Sequence, residues 1–296
     1  MANLRDIRHR IESVRNTKQI TKAMKMVAAS KLRKAQDRII ETRPYTSNME
    51  ELVGRIAQEA NKNDILLQER EPVENILFII IGSDRGLCGA FNHNLFRELK
   101  QRINKDYSTQ KENGNLSLIT IGRKPTKHFK KRGYNIEQEF PGFFDEMKFS
   151  RISEIMKTII SQFKIRAIDE VVIAFNEFES VIVQNCNIEK VLPIDPDTLL
   201  VGKEASHEYI NYIYEPDVDA ILEELLPLHL RMQLWQAVLE SNAAEQGARM
   251  TSMDNATDNA EELEDDLQLE YNRARQSAIT TEISEIMGGA QALKEA

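Results

Sequence analysis

The first 43 residues are strongly basic and have the pattern of one long helix. Apolar or small side chains recur in steps of three and four, the spacing of one helical stripe, at Ile7, Ile11, Val14, Thr21, Met24, Ala28, Leu32, Ala35 and Ile39. One polar step falls at Lys18, and neither glycine nor proline interrupts the segment before Pro44. At a rise of about 1.5 Å per residue, roughly forty residues make a helix of about 60 Å, far longer than an ordinary globular helix. Such a helix cannot be buried in a compact domain of its own, so we expect it to need a partner.

The two ends of the chain carry opposite charge. Between residues 1 and 43, 12 Lys and Arg stand against 4 Asp and Glu, which gives a net charge of +8. Between residues 215 and 296, 18 Asp and Glu stand against 5 Lys and Arg, which gives −13. A basic segment is usually a solvated face or a nucleic-acid arm, but an acidic segment of similar length offers an internal partner.

The acidic end is also helical in pattern. Pro227 should kink or interrupt the chain, and no proline follows it. The expected stripe is Leu234, Val238, Ala243, Ala244, Gly247, Met250, Met253, Ala256, Ala260, Leu263, Leu267, Tyr271, Ala274 and Ala278. A helix from Leu228 to Met287 would be about 90 Å long. We predict that the basic and acidic helices wind together as an antiparallel coiled coil.

The middle of the chain has a different pattern, which starts abruptly at Asn75. Apolar β-branched runs alternate with amphipathic segments. They predict strands over 76–83, 116–122, 134–140, 169–178 and 181–192, and helices over 92–103, 126–132 and 152–165. This alternation indicates a small open sheet of Rossmann-like type.

The predicted fold class is therefore α/β: a long antiparallel coiled coil of the N- and C-terminal helices, with a Rossmann-like α/β domain inserted between them. We expect the N-terminal coiled-coil helix over residues 1–60, although Pro44 should bend or end its first part. The α/β domain is expected over residues 75–201, and the C-terminal coiled-coil helix over residues 216–296.

A glycine-containing loop follows the first predicted strand, at Gly82-Ser-Asp-Arg-Gly86-Leu-Cys-Gly89. Phosphate-binding loops have fixed spacings, G-x-G-x-x-G or G-x-x-x-x-G-K-[ST], and this loop has neither. We therefore expect a tight turn that packs a helix on a strand, and no nucleotide at the loop.

Other chemical groups give no catalytic or metal constellation. The five histidines are scattered, and Cys88 and Cys186 lack metal-ligand spacing, so we expect buried or half-buried free thiols. The acidic run 261–266 points several ways on a helix, which predicts a solvated face or a surface that meets a basic helix. Nucleic-acid binding is disfavoured because no aromatic residue for base stacking precedes Tyr45. No run of apolar residues is long enough to span a membrane, and no signal or transit segment is expected.

The last turns of the acidic helix have an unusual composition. Residues 283–293 are mostly small or apolar, whereas a chain terminus is normally polar. We therefore expect this tip to sit in an apolar sleeve provided by another protein.

Three stretches closely resemble the gamma-subunit family of F-type rotary ATP synthases. They are IRHRIESVRNTKQITKAMKMVAASKLRKAQ near the N-terminus, SDRGLCGAFN after the first strand, and ARMTSMDNATDNAEELEDDLQLEYNRARQSAITTEISEIMGGAQAL near the C-terminus. They cover about a third of the chain and occur in the family's order. In that family the two terminal helices form a central shaft inside a ring of alternating alpha and beta subunits, and the α/β domain forms the foot.

The resemblance implies a non-catalytic rotor shaft that couples rotation of the membrane rotor ring to ATP synthesis or hydrolysis at beta, in a proton-translocating enzyme. The implied partners are alpha, beta, epsilon and the ring of c subunits, without a cofactor or nucleic acid. The implied location is peripheral, on the cytoplasmic face of a bacterial cell membrane.

The resemblance also implies contact residues. Lys22, Met24 and Lys25, near Arg249, would face the moving lower lobe of beta. Arg275, Gln276 and Thr280 would meet the catch loops of beta. The tip residues Ile286, Met287, Gly288, Gly289, Ala290 and Leu293 would end in the hydrophobic bearing. Gly247 departs from the family, which more often has alanine there, so local bending of the helix is an open alternative.

Two other functions stay open from the sequence. The first is a stand-alone coiled-coil adaptor with an α/β head. The second is a Rossmann-type enzyme with helical extensions. Assembly with alpha and beta subunits favours the rotor shaft, whereas intrinsic ATPase or dehydrogenase activity of the isolated chain favours the enzyme.

Overall fold

The computed structural model describes residues 4–59, 64–196, 215 and 217–295. The chain divides into two compact units, which we call the helical unit (Met1–Ala28 with Met250–Ala296) and the sheet unit (Ala29–Arg249). The predicted domain boundaries at residues 60, 201 and 216 lie outside the described residues, and the three-domain division stays a prediction.

The described elements follow the predicted order. The helices are α1 (Leu4–Glu59), α2 (Phe91–Asp106), α3 (Ser108–Glu112), α4 (Arg123–Lys130), α5 (Phe149–Lys164) and α6 (Val218–Glu295). The strands are β1 (Ile76–Ile81), β2 (Leu116–Ile121), β3 (Asn135–Phe140), β4 (Glu170–Phe178) and β5 (Gln184–Leu192), and a short 3-10 turn spans Phe143–Asp145. The long terminal helices and the α/β pattern are thus confirmed.

Two prolines lie inside the long helices, Pro44 in α1 and Pro227 in α6, and neither ends its helix. A proline removes one backbone hydrogen bond and crowds the preceding turn. The turns that follow each proline bury apolar side chains, Val53 after Pro44 and Leu230 after Pro227 among them. We attribute the continuity of both helices to that burial.

In the helical unit, the N-terminal part of α1 packs against the C-terminal part of α6 in an antiparallel direction. Ile11 and Ile7 form an apolar cluster with Leu267, and the hydroxyl groups of Thr21 and Thr257 lie 2.8 Å apart. As residue numbers rise along α1, the residues that they contact on α6 have lower numbers. The predicted antiparallel pairing is therefore confirmed within this unit.

One predicted stripe position in α6 is wrong. Leu263 is 40 % exposed, whereas Ala260 and Leu267 are buried. The two buried positions are seven residues apart, so one further residue of the same helix face lies between them. That residue is Glu264, four residues after Ala260. The stripe therefore contains a carboxylate where an apolar side chain was expected.

The sheet unit contains one five-stranded sheet in the order β3-β2-β1-β4-β5. Strands β1 to β4 pair in parallel and β5 pairs antiparallel with β4, so β5 closes one edge as a hairpin. Strand β1 lies in the centre and all six of its residues are buried, because helices cover both faces of the sheet.

The two faces of β1 pack against different helices. Leu77, Ile79 and Ile81 belong to a core with apolar side chains of α1, α5 and α6. Phe78 and Ile80 belong to a second core with side chains of α2 and α4. Alternate side chains of β1 point to opposite faces of the sheet. The parts of the long helices that belong to the sheet unit therefore pack on one face.

The strands lie within their predicted ranges, but helices α2, α4 and α5 begin one to three residues before the predicted starts. Helices α4 and α5 begin with mostly exposed residues, so their apolar stripes begin later than the helices, whereas α2 begins at the buried Phe91, which its predicted start omitted. The short helix α3 and the 3-10 turn were not predicted, because five or fewer residues carry no measurable period.

Candidate functional site

Ion pairs cross the packed face of the helical unit. Glu264 accepts a hydrogen bond of 2.9 Å from the Arg15 Nε, and its other oxygen lies 2.7 Å from the Lys18 ammonium. Glu261 lies 3.5 Å from the same ammonium. Lys25 donates a hydrogen bond to Asp254. The basic segment therefore meets the acidic run 261–266, as predicted, and part of its charge is neutralised within the chain.

These contacts shift two pKa values in the directions that favour the charged forms. The hydrogen bond from Lys18, followed by that from Arg15, lowers the pKa of Glu264 below its ordinary value of 4.5. The hydrogen bond to Glu264 raises the pKa of Lys18 above 10.5. Both groups are fully charged near neutral pH, so the seam is held partly by charge.

The three residues predicted to face beta near the middle of α1 differ in their surroundings. Lys22 is exposed and its side chain forms no ion pair with the described residues. Met24 and Lys25 are half-buried, and Lys25 is engaged with Asp254. Lys22 and part of Met24 are therefore the groups most available to a partner.

The second predicted contact group lies farther along α6. Arg275, Gln276 and Thr280 are exposed, and the Thr280 hydroxyl donates to the Gln276 carbonyl oxygen at 2.9 Å. That bond is local to the helix, so it leaves the arginine and the amide side chains free of any ion pair or hydrogen bond with described residues.

Apolar side chains are exposed on the same part of α6. Ile279, Ile283 and Ile286 recur at intervals of four and three and are 46 %, 52 % and 71 % exposed. Met287 is 68 % exposed. The predicted tip residues Gly288, Gly289 and Ala290 are also exposed, while Leu293 lies in α6 with its side chain outside the described part. A continuous exposed apolar stripe of this kind indicates a surface that a partner covers.

The loop after β1 is held by its own polar side chains. Asn92 accepts a hydrogen bond from the Ser83 N–H at 3.1 Å and donates to the Ser83 hydroxyl at 2.7 Å. A Cβ at Gly122 would lie 2.5 Å from the Gly82 carbonyl oxygen, so the neighbouring loop approaches as closely as glycine allows. These contacts confirm a tight turn that packs a helix against a strand.

Asp84 joins three separate backbone segments. Its Oδ1 accepts hydrogen bonds from the N–H groups of Arg123 at 3.0 Å and Gly142 at 2.7 Å, and its Oδ2 accepts from Phe144 at 3.2 Å. The loops after β1, β2 and β3 thereby meet on one carboxylate.

Arg249 connects the same loop to α6. It is 9 % exposed, and its guanidinium lies 2.7 Å from Glu245 Oε1 and donates to the carbonyl oxygens of Gly86 at 3.1 Å and Arg85 at 3.4 Å. Burial raises the pKa of Glu245, and Arg249 opposes that shift. Arg249 is thus an internal clamp within the sheet unit, and it leaves Arg85 exposed beside it.

Gly247 lies where α6 passes the turn between β4 and β5. A Cβ at this position would lie 3.2 Å from Phe178 Cε2 and 3.5 Å from Val181 Cα. This close packing favours a small residue here, since a larger side chain would press against the hairpin.

The internal roles of Asp84 and Arg249 were not predicted from the sequence, where the resemblance named Arg249 only at the contact with beta. The role of Asp84 has no sequence signal beyond its place directly after a buried strand. Arg249 carried a weak signal. The stretch from Ala243 to Met250 contains small or neutral residues except for two charged ones, Arg249 and its partner Glu245.

Neither a metal site nor a membrane span is found where the structure is described. No three His, Cys, Asp or Glu side chains of these residues converge as metal ligands would. No helix among them is both long and apolar enough to cross a bilayer.

Comparisons with known proteins agree with the resemblance. The sequence matches the protein family described as ATP synthase over residues 3–293. It is 45 % identical over 296 residues to the ATP synthase gamma chain of Chlorobaculum tepidum, covering 100 % of both chains. It is 45 % identical over 306 residues to the ATP synthase gamma chain of Salinibacter ruber, covering 100 % of this chain and 99 % of the other.

The fold is similar to that of a chain in a solved ATP synthase structure. This chain of the Euglena gracilis mitochondrial ATP synthase, in an OSCP/F1/c-ring structure in rotational state 3, superposes with a TM-score of 0.70. Sequence identity is 23 %, and the match covers 98 % of the present chain and 94 % of that chain. The likeness concerns the fold.

Proposed function

Because this chain belongs to the ATP synthase gamma chain family, we propose that it is the central rotor shaft of a proton-translocating F-type ATP synthase. The shaft couples rotation of the membrane rotor ring to ATP synthesis or hydrolysis at the beta subunits. It contributes no catalytic residue, because the reaction takes place on beta and the shaft only changes which state each site favours.

The observation that supports this proposal most directly is the exposed apolar stripe and tip of α6 beyond the charged seam. A helix that exposes Ile283, Ile286 and Met287 to water needs a surrounding surface, and a ring of alpha and beta subunits supplies one. The antiparallel pairing with α1 stiffens the part of α6 that carries the charged seam.

We propose two contact regions with beta. In the first, Lys22 and Met24 face the moving lobe, while Lys25 is held by Asp254. Arg249 belongs to the sheet unit and is proposed to act on beta indirectly, by holding the loop that carries the exposed side chain of Arg85. In the second, Arg275, Gln276 and Thr280 meet the catch loops of beta. Cationic groups at both places can attract acidic groups on beta and distinguish its three copies.

The remaining partners and the location are part of the same proposal. The α/β domain of residues 75–201 is the foot, which contacts epsilon and the c ring, and the chain lies peripherally on the cytoplasmic face of a bacterial cell membrane. The proposed division of the chain follows the predicted boundaries, residues 1–60, 75–201 and 216–296.

Co-expression with alpha and beta subunits tests the proposal. We expect an ATPase-active complex with one copy of this chain for three copies of beta, measured by native mass spectrometry. A chain that stays unassembled when alpha and beta form their own complex would contradict the proposal. ATPase or dehydrogenase activity of the purified chain alone would contradict the non-catalytic role.

A further inference from the structure

A cleft of about 500 Å³ lies within the sheet unit, between the long helices and two loops of the sheet. Lys31, Lys34 and Arg38 of α1 line one wall, and residues 242–249 of α6 contribute to another. The loops after β1 and β3 line the rest, so the cleft lies at the carboxyl ends of parallel strands, where open α/β sheets bind ligands. Its volume is within the range of small-molecule sites, about 300–1,000 Å³.

The carboxylates of the cleft already have partners. Asp84 accepts three backbone N–H groups, Asp145 lies 3.7 Å from Arg85, Glu146 lies 2.6 Å from Lys148, and Glu245 lies 2.7 Å from Arg249. Their negative charge is therefore largely satisfied by groups of the chain itself.

The cations of α1 are not paired in the same way. Lys31, Lys34 and Arg38 are exposed, and within the described ranges their side chains form no ion pair or hydrogen bond. Lys31 is near enough to Glu245 to lower its pKa, but it makes no direct contact with that carboxylate. Intervals of three and four residues place the three cations on one helix face, where like charges repel. The three cations thus form a row of positive charge whose members make no direct ion pair with the described residues.

The shape of this row limits the ligand. The three cations extend over about 10 Å along α1, so a chain of phosphates can contact them in succession where one phosphate cannot. Phe144 and Met147 are half-buried and add an apolar surface to the cleft. Arginine and lysine are the side chains that bind phosphate oxygens most strongly.

We propose that this cleft binds a small organic polyphosphate. Its phosphate groups lie along Lys31, Lys34 and Arg38, and its apolar body packs against Phe144 and Met147. Side-chain cations hold this ligand, so the site does not depend on the backbone amides of the Gly82–Gly89 loop. The cleft shares Arg85 and Arg249 with the proposed contact with beta, but its test does not require the rotor function, because the site is complete within the isolated chain.

Titration calorimetry of the full purified chain tests the proposal with three probes: tripolyphosphate, ATP and adenosine. We expect one-to-one binding of tripolyphosphate, tighter binding of ATP because of the apolar wall, and no binding of adenosine alone. Binding should weaken as salt is added, since the contacts are ionic. Absence of tripolyphosphate binding at low salt would overturn the proposal.

A pair of double variants tests the location. Lys34→Gln with Arg38→Gln should weaken tripolyphosphate binding by about ten-fold or more, because two charge-assisted contacts are lost. Arg33→Gln with Lys157→Gln removes the same charge from exposed positions outside the cleft and should change binding by no more than about two-fold. Equal losses in both variants would mean only diffuse attraction by the net charge and would overturn the site.

Two further measurements complete the test. Tripolyphosphate should protect Lys31 and Lys34 of the wild-type chain from acetylation while Lys157 stays reactive, a result that does not depend on the folding of any variant. Hexaglutamate should bind far more weakly than tripolyphosphate. If it binds as tightly and with the same dependence on Lys34 and Arg38, the cleft is a surface for acidic peptides and the polyphosphate proposal fails.

Discussion

The carboxylate of Glu264 lies 2.7 Å from the ammonium group of Lys18, where the stripes of α1 and α6 meet. The side chain of Glu264 is 13 % exposed and that of Lys18 is 26 % exposed, so both are largely covered by the neighbouring helix. Lys18, the polar position in the stripe of α1, therefore faces Glu264, the carboxylate in the stripe of α6.

We expect Glu264→Gln to lower the melting temperature of the chain at neutral pH. The pKa of Glu264 is lowered from 4.5, so its stabilising effect is fully present above pH 4.5 and is lost as pH falls through the lowered value. The difference between the variant and the wild type should therefore disappear in acid. Thermal unfolding followed by circular dichroism measures it. The exposed Glu262→Gln is the control, and an equal effect there would contradict the role of the seam.

Arg249→Ala should destabilise the sheet unit by about 3–5 kcal/mol, since it leaves the buried Glu245 without a partner. Urea unfolding measures the loss. The exposed Arg85→Ala should cost less than about 1 kcal/mol and serves as the control.

The same variant should depend on pH. Burial raises the pKa of Glu245 above its ordinary 4.5, so the protonated form is favoured in the folded state. The stability that the folded state gains from protonated Glu245 is fully present below pH 4.5 and is lost as pH rises through the pKa of the folded state. The loss is larger without Arg249, because no cation then offsets the burial of the charged carboxylate. The deficit of Arg249→Ala should therefore shrink as pH falls toward 4.5. A deficit that is constant from pH 7 to pH 4 would exclude the buried ion pair as its cause.

Gly247→Ala tests whether packing or bending explains the glycine. Alanine gains about 1 kcal/mol in helix propensity, but its Cβ would lie 3.2 Å from Phe178 and force that ring to shift. The two effects should nearly cancel, so the free energy of unfolding should change by less than about 1 kcal/mol. Gly247→Leu has the same propensity advantage and a larger clash, so it should destabilise by about 1–3 kcal/mol. A clear gain in stability for both variants would show that the hairpin does not restrict this position.

Arg275→Ala with Gln276→Ala should weaken coupling in the assembled complex without unfolding the free chain, because both side chains are exposed. We expect lower ATP-driven proton pumping and ATP synthesis in membrane vesicles, with an unchanged melting temperature. Arg273→Ala removes a similar charge from another face of α6 and is the matched control. Full pumping and synthesis by the double variant would remove these residues from the proposed contact.

The thiols should react slowly in the folded chain. Burial, with the nearby Glu98, raises the pKa of Cys186 to about 12, and burial also raises the pKa of Cys88. At pH 8 the thiolate fraction of Cys186 should be roughly a thousand-fold below that of an ordinary cysteine. Labelling with a thiol-specific disulfide reagent should therefore need urea. Fast labelling that disappears in Cys186→Ser would contradict this.

The sequence predicts the long elements of this fold well. The stripe of α1 is correct at its buried positions because a 3.6-residue period is visible over many turns, as from Ile7 to Ile39. The strands are found because β1 is apolar at every position, which requires cover on both faces. The prediction at Leu263 was wrong because the residue was assigned to the stripe for its apolar side chain. The covered position is instead occupied by Glu264, whose carboxylate forms ionic contacts with α1.

The site depends on contacts between residues distant in the chain, which no local pattern contains. The clamp of Arg249 on Gly86 joins positions 163 residues apart. Its burial was not foreseen, since an arginine in an acidic helix is ordinarily a surface residue. The apolar tip was visible in the composition of the last turns of α6, whereas Arg275 and Gln276 were named from the family resemblance and stay a prediction as contact residues.

Asp84 places a narrow chemical requirement on its position. Three N–H groups from two other loops donate hydrogen bonds to its two oxygens. The side chain at this position must therefore accept hydrogen bonds at both terminal atoms and carry no donor. Asparagine has the right size, but its NH₂ would face one of these donors. Glutamate has the right charge, but its longer side chain would push the loops apart. In a library of all twenty amino acids at this position, selection for folded protein should therefore return aspartate almost alone.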